Sequence, residues 1–358
     1  MKKALTLLGK GVLAVLILLV ASLLFFWIRN QIYAGGVDDD TVVYLVKNKV
    51  DITNGLQPER MLGSDFYRQR VFLLGENHGS ADVQQVDQSL LLHLNQKIGL
   101  RYYLAELDSI RARHLTRFLT NSSKDTALLK QIVQDVGLRI PQQSSRGLFE
   151  KWSAVYDYNQ KLPDSLKITV LGIDKDLEDT SRTITRDSAM FLNFKNIVQS
   201  RHLENEQFYG LFGFAHVLQS HINQDRTTFA AKVKHADLPF SNAIKSIVCY
   251  NLDSEMRLPA TGNFPTPPDE KTSLLNADGP ITVVKGIKDL KEVTQENTIT
   301  LFNIEAANSP YRTSQRLIRI KVNLMGEDVL PASESQATTD FFQYVILSRN
   351  SNTLTKIE

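Results

Sequence analysis

From residue 70 onward, short apolar runs alternate with longer stretches of helical spacing, and this alternation restricts the fold more than any other feature. The strand-like runs are RVFLL (70–74), YYLAE (102–106), ITVLGID (168–174), FYGLFGFAH (208–216) and SIVCYNL (246–252), then TLFNI (300–304) and YVILS (344–348). Between them, the 83–94 stretch places apolar side chains at Val83, Val86, Leu90, Leu91 and Leu94, and the 146–162 stretch does so at Leu148, Trp152, Val155 and Tyr156. Strands apolar along their whole length, separated by amphipathic helices, predict an α/β fold: a mostly parallel sheet with helices on both faces. Residues 257–290, with Pro259, Pro265, Pro267 and Pro268, predict a long loop.

The N-terminus is different material. Residues 11–28 carry no charge and consist almost wholly of Leu, Val, Ile, Ala, Phe and Trp. Such a run spans a bilayer core of roughly 30 Å as a helix. Lys2, Lys3 and Lys10 precede it and Arg29 follows, so the positive-inside rule puts the N-terminus in the cytoplasm. A cleaved signal peptide is the alternative, but the run is long for one and ends in bulky FFWI, with Trp27 suited to the interface. The expected organisation is an N-terminal transmembrane anchor (1–30), a tether and lead-in (31–67) broken by Gly35 and Gly36, and an α/β domain (68–358). This makes a single-pass protein of the inner (cytoplasmic) membrane, touching lipid through its helix, with its domain on the periplasmic side.

Composition removes some functions. Lys+Arg 41 against Asp+Glu 39 gives a net charge of +2 with no basic stripe, so nucleic-acid binding has no electrostatic support. Cys249 is the only cysteine, which excludes an intrachain disulfide and a Cys-based metal cluster and leaves it as a small hydrophobe.

Ligands of open parallel sheets bind outside the carboxyl ends of the strands. The first run here ends in Gly-Glu-Asn-His-Gly, with Glu76 and His78 between glycines that permit a sharp turn. The second ends in Glu106, the third in Asp174 and the fourth in His216. Carboxylates and imidazoles at consecutive strand exits suit acid/base chemistry or metal ligation. The alternative readings are helix capping for Glu106 and Asp174 and a core role for His216. Helical spacing over 185–193 puts Arg186, Met190 and Asn193 on one face, where Arg186 would neutralise carboxylates or clamp a substrate anion.

Together these residues resemble the erythromycin esterase/ChaN-like superfamily, over about residue 68 to the C-terminus. The matching pieces are the R-D-x-x-M-x-x-N run (Arg186, Asp187, Met190, Asn193) and a W…YN then G-x-D passage (Trp152, Tyr158, Asn159, Gly172, Asp174). A G-x-A-H-V strand end (Gly213, Ala215, His216, Val217) and the closing TTDFFQYVIL complete the likeness. Esterases of the family carry two residues between the Glu and the His. The single Asn77 here is the spacing of the ChaN and Tiki members, and no arginine follows within 80–89.

The resemblance implies a hydrolase acting on a small-molecule or peptide substrate. In it His78 activates water, Glu76 or Glu106 orients His78, His216 assists the departing group, and Asp174 is a further catalytic residue; Arg186 and Trp152 contact substrate. No G-x-S-x-G motif is present, which favours attack by water over an acyl-enzyme. A divalent metal ion held by the same groups is the alternative means of activation. The other relatives imply a ChaN-like haem- or metal-binding protein or a Tiki/TraB-like metallopeptidase. The ChaN pattern has a further His soon after the first motif, and 79–92 contains none.

Overall fold

The computed structural model describes residues 2–56, 61–179, 183–260, 266–323 and 326–357, with the backbone alone for 2–9. Its strands are β1 (Lys49–Asp51), β2 (Val71–Glu76), β3 (Tyr102–Ala105), β4 (Thr169–Gly172), β5 (Phe208–Gly213) and β6 (Ile244–Leu252). The remainder are β7 (Met256–Arg257), β8 (Lys271–Thr272), β9 (Thr282–Val284), β10 (Ile299–Asn303), β11 (Ile320–Val322) and β12 (Tyr344–Arg349).

One 8-stranded sheet runs β1-β10-β12-β6-β2-β5-β3-β4. The block from β12 to β4 is parallel, and β10 joins it antiparallel to both β12 and β1. Each expected strand is present. The β2 strand is buried on both faces, sending Val71 and Leu73 to one core and Phe72 and Leu74 to the other. This explains why it reads as a continuous apolar run rather than an alternating one. Helices Ala81–Ile98, Ser109–Thr120, Thr126–Val136 and Arg146–Asn159 pack on the second core, and Arg186–Ser200 and Phe229–Lys234 on the first.

The chain leaves β2, passes to β3 and β4, and returns to place β5 between β2 and β3 before β6 pairs on the far side of β2. The crossovers therefore diverge at β2/β5, where ligands of such sheets bind. The expected strand over 208–216 stops at Gly213, and Phe214–Val217 forms a 3₁₀ turn. The reason is local: the Gly213 amide donates to the Glu106 carboxylate at 2.7 Å. A Cβ on Gly75 would stand 2.4 Å from Val217 Cγ2, so only glycine lets the turn fold over β2.

The 257–290 stretch contains β8, β9 and the start of helix Ile287–Glu292, and β9 pairs with β11 in a separate two-stranded ribbon. Helix Lys2–Ala34 ends where Gly35 adopts φ +80°, a left-handed stop. Its Lys10–Ala34 portion is long and apolar enough to cross a membrane. Side chains 10–28 are all exposed, and burial begins at Asn30. Beyond the helix, residues 39–47 are helical and β1 adds to the sheet edge.

Candidate functional site

Glu76 is the last residue of β2, paired with Gly213, and its alternation sends the carboxylate toward the layer of Arg146–Asn159. It is 1% exposed. Its Oε1 accepts from Gln143 Nε2 at 2.5 Å and lies 2.9 Å from His78 Nδ1. The carboxylate thus accepts the Nδ1–H hydrogen bond, which leaves His78 Nε2 as the open edge of the ring. Gly79, at φ +119°, turns the chain away immediately; any Cβ there would meet the Arg257 carbonyl at 2.7 Å.

A second imidazole is held in the same way. His216 Nδ1 lies 2.6 Å from Asp187 Oδ1, which also accepts the Phe229 amide at 2.8 Å. Its Nε2 is 3.6 Å from Glu106 Oε1. The two rings meet across Gly213: a Cβ built there would lie 3.3 Å from His78 Nε2 and 3.5 Å from His216 Cδ2. Two carboxylate-anchored imidazoles therefore flank one glycine at the sheet's point of divergence.

Glu106 and Asp174 belong to an adjoining charged cluster. Arg186 Nη2 lies 2.9 Å from Glu106 Oε1, while its Nε reaches both Asp174 oxygens at 2.9 and 3.0 Å. Arg139 Nη1 is 2.8 Å from Asp174 Oδ1. Neither carboxylate caps a helix; Asp108 fills that place for Ser109–Thr120. Burial would raise the Asp174 pKa, but Arg186 and Arg139 outweigh it and hold the group below the usual range. Asp187 is likewise low: burial is overcome by His216, the Phe229 amide and Arg226. For His78, burial lowers the pKa, and Glu76 with Glu106 overcomes it, so the ring titrates above 6.5.

A cleft of 430 Å³ opens over the imidazoles. Its polar lining includes Glu76, His78, His216, Arg226 and Glu327, and its apolar lining includes Met256, Leu275, Val284, Ile320 and Val322. Trp152 lies outside this lining. It is 4% exposed in the core, edge-on to Tyr103, and borders with Glu106 a small void of 30 Å³. Asp174 lines a separate hollow of 440 Å³. Glu76, His78, Glu106 and His216 are thus brought together, with Asp174 joined to them through Arg186.

The donor set does not fit a metal centre. Among the described residues no group of three or more His, Cys, Asp and Glu is placed to hold an ion. Guanidinium groups already balance Glu106 and Asp174, and each remaining carboxylate holds an imidazole. Sequence reasoning placed Asp187 only within a motif and missed Gln143, Arg139 and Arg226, whose loop and turn positions carry no periodic signal.

In comparison with solved structures, the chain is similar to a Bacillus cereus protein at TM-score 0.64 and 12% identity, covering 89% of this chain and 99% of that one. A succinoglycan biosynthesis protein matches at TM-score 0.59 and 11% identity, covering 90% and 99%. A mutant erythromycin esterase, EreC, in its open conformation matches at TM-score 0.50 and 11% identity, covering 85% and 97%. The chain has an erythromycin esterase-like fold. At these identities the likeness concerns the fold alone. No family model matches the sequence. No curated protein matches it by sequence either. Within the erythromycin esterase-like fold, the two imidazoles occupy the C-terminal edge of the central strands.

Proposed function

We propose that this protein is a membrane-anchored hydrolase that cleaves an ester by direct attack of water. The observation that carries the reading is the convergence of the Glu76–His78 and Asp187–His216 pairs on Gly213 at the floor of one cleft. The similarity in fold to an erythromycin esterase supports the reaction class.

His78 Nε2 takes a proton from water as its oxygen adds to the ester carbonyl carbon. Glu76 fixes the tautomer and stabilises the imidazolium that forms. The C–O bond to the alcohol then breaks, and a proton passes to the departing alkoxide through His216 Nε2, leaving a free acid and an alcohol. Arg226, whose Nη2 is 3.8 Å from Asp187 Oδ2 and which lines the cleft, is placed to receive developing negative charge. The single-residue spacing of Glu76 and His78 and the missing arginine argue for a substrate other than a macrolide.

The apolar helix supports anchoring in the cytoplasmic membrane, with the N-terminus inside and the domain outside. A panel of fluorogenic esters, assayed with the full chain in detergent, tests the function. Wild type is expected to hydrolyse at least one ester well above Glu76→Gln; identical rates on every ester sink the reading.

A further inference from the structure

The wall of the cleft is also the seat of the apolar helix. In the β9–β11 ribbon the pairs are Ile320↔Val284, Lys321↔Val283 and Val322↔Thr282. Side chains alternate between the faces of such a ribbon. Thr282, Val284, Ile320 and Val322 line the cleft. From the other face, Val283 borders a hollow beside Asn30, and Lys321 Nζ stands 5.7 Å over the Tyr33 ring. A single ribbon thus separates the cleft from the helix.

The joint is fastened by buried polar groups. Asn323, next to Val322, donates to Asn30 Oδ1 at 3.1 Å and to the Pro280 carbonyl at 2.9 Å. Asn30 donates to that carbonyl at 3.1 Å, Arg29 Nη2 donates to Asn323 Oδ1, and the Gly286 amide donates to the Ala34 carbonyl at 2.8 Å. The uncharged, exposed part of the helix ends at Ile28, one residue before these bonds begin. A bilayer around residues 11–28 therefore has its surface at the ribbon. The cleft lies on the opposite face of that ribbon.

We propose that the cleft draws its substrate from the bilayer that holds the helix: an ester-bearing amphiphile whose acyl chain lies along Val284, Ile320 and Val322 while its carbonyl reaches His78. This rests on the hydrolase reading and adds the substrate class. The cleft can take such a molecule: Val284, Ile320 and Val322 of the ribbon offer apolar contact, and His78 and His216 stand at the sheet, with Arg226 and Glu327 as further charged lining. The step is the same ester hydrolysis, in which water supplies both the hydroxyl of the acid and the proton of the alcohol.

The test uses the full chain in phosphatidylcholine vesicles, with 4-methylumbelliferyl palmitate in the bilayer and 4-methylumbelliferyl butyrate in the water. A phosphatidylcholine bearing a diazirine in its acyl chain serves separately as a photolabel. The palmitate is expected to be cleaved faster, Val322→Asp to lower the palmitate-to-butyrate ratio by about tenfold, and the label to appear on the cleft-facing Val284, Ile320 or Val322 rather than only on Val283 or Lys321. Circular dichroism and a melting curve report that the variant has folded. A ratio no higher than one, or no label on the cleft-facing side chains, overturns the lipid substrate and leaves the hydrolase standing. If neither ester is cleaved, labelling alone decides: label on the cleft-facing side chains supports the lipid occupant while the hydrolase reading falls, and its absence there overturns the proposal.

Discussion

Asp187 Oδ1 lies 2.6 Å from His216 Nδ1, although 29 residues of chain separate them. The contact fixes the ring so that Nε2 faces Glu106 and the cleft. Asp187→Asn keeps an oxygen for the Phe229 amide but loses the charge that stabilises an imidazolium. Its expected effect is a fall in kcat of about 10²-fold or more with some loss of thermal stability, since the lowered pKa makes the charge a stabilising one, read by steady-state kinetics beside a melting curve.

The pH dependence follows from His78. Its pKa is raised, so it is charged at low pH and becomes a base only as pH rises through a midpoint above 6.5. Activity should climb with pH through that midpoint, and Glu76→Gln should move the midpoint down. The stability linked to this pair has the opposite trend: it is fully present below the unfolded value and is lost as pH rises through the folded one. A pH profile of kcat/KM for both proteins checks the first claim, and urea midpoints across the same range check the second.

A Cβ added at Gly213 would stand in tight contact with His78 Nε2, at 3.3 Å, and in ordinary van der Waals contact with His216 Cδ2, at 3.5 Å. Gly213→Ala should fold, since its φ of -56° is open to any residue, and should lower kcat/KM by about tenfold or more by filling the space a water needs. Activity equal to wild type would separate the imidazoles from the reacting centre.

How much of this was legible in the sequence follows from what each signal depends on. Strands buried on both faces announce themselves as apolar runs, so β2 through β6, β10 and β12 were readable, as were helices with an apolar stripe such as Ala81–Ile98. Their order was not, because placing β5 between β2 and β3 is decided by pairing between distant segments. The Glu76–His78 pair was local and visible at a spacing of two. Asp187 with His216, and Gln143 with Glu76, join segments remote in sequence. The ribbon that walls the cleft has strands of 3 residues, too short to show an alternation.

Beneath the site, Lys151 Nζ pairs with Asp87 Oδ2, and Tyr103 donates to the same oxygen at 3.0 Å. The side chains are 2% and 0% exposed. Burial lowers the Lys151 pKa against the pull of Asp87. Lys151→Met strands a buried carboxylate and should cost about 3–5 kcal/mol. Adding Asp87→Leu should recover much of that loss, because desolvation of both charges is then avoided. Urea denaturation of the singles and the double checks both statements.

Arg186 neutralises Glu106 and Asp174 together. Arg186→Met should destabilise by about 1–3 kcal/mol at neutral pH, with Arg139 retaining part of the Asp174 interaction. Asp174 has a lowered pKa, so its contribution is present above the ordinary 3.8 and disappears as pH falls through the folded value. The difference between wild type and variant should therefore shrink in strong acid, which melting curves at neutral and acid pH would show.

The central claim is that His78 activates water. Its most direct test is kcat/KM for the wild-type full chain and for His78→Ala, on an ester that the wild type cleaves, with circular dichroism confirming that both are folded. A loss of about 10²–10⁴-fold is expected; equal rates from the two proteins would show that His78 does not activate the water.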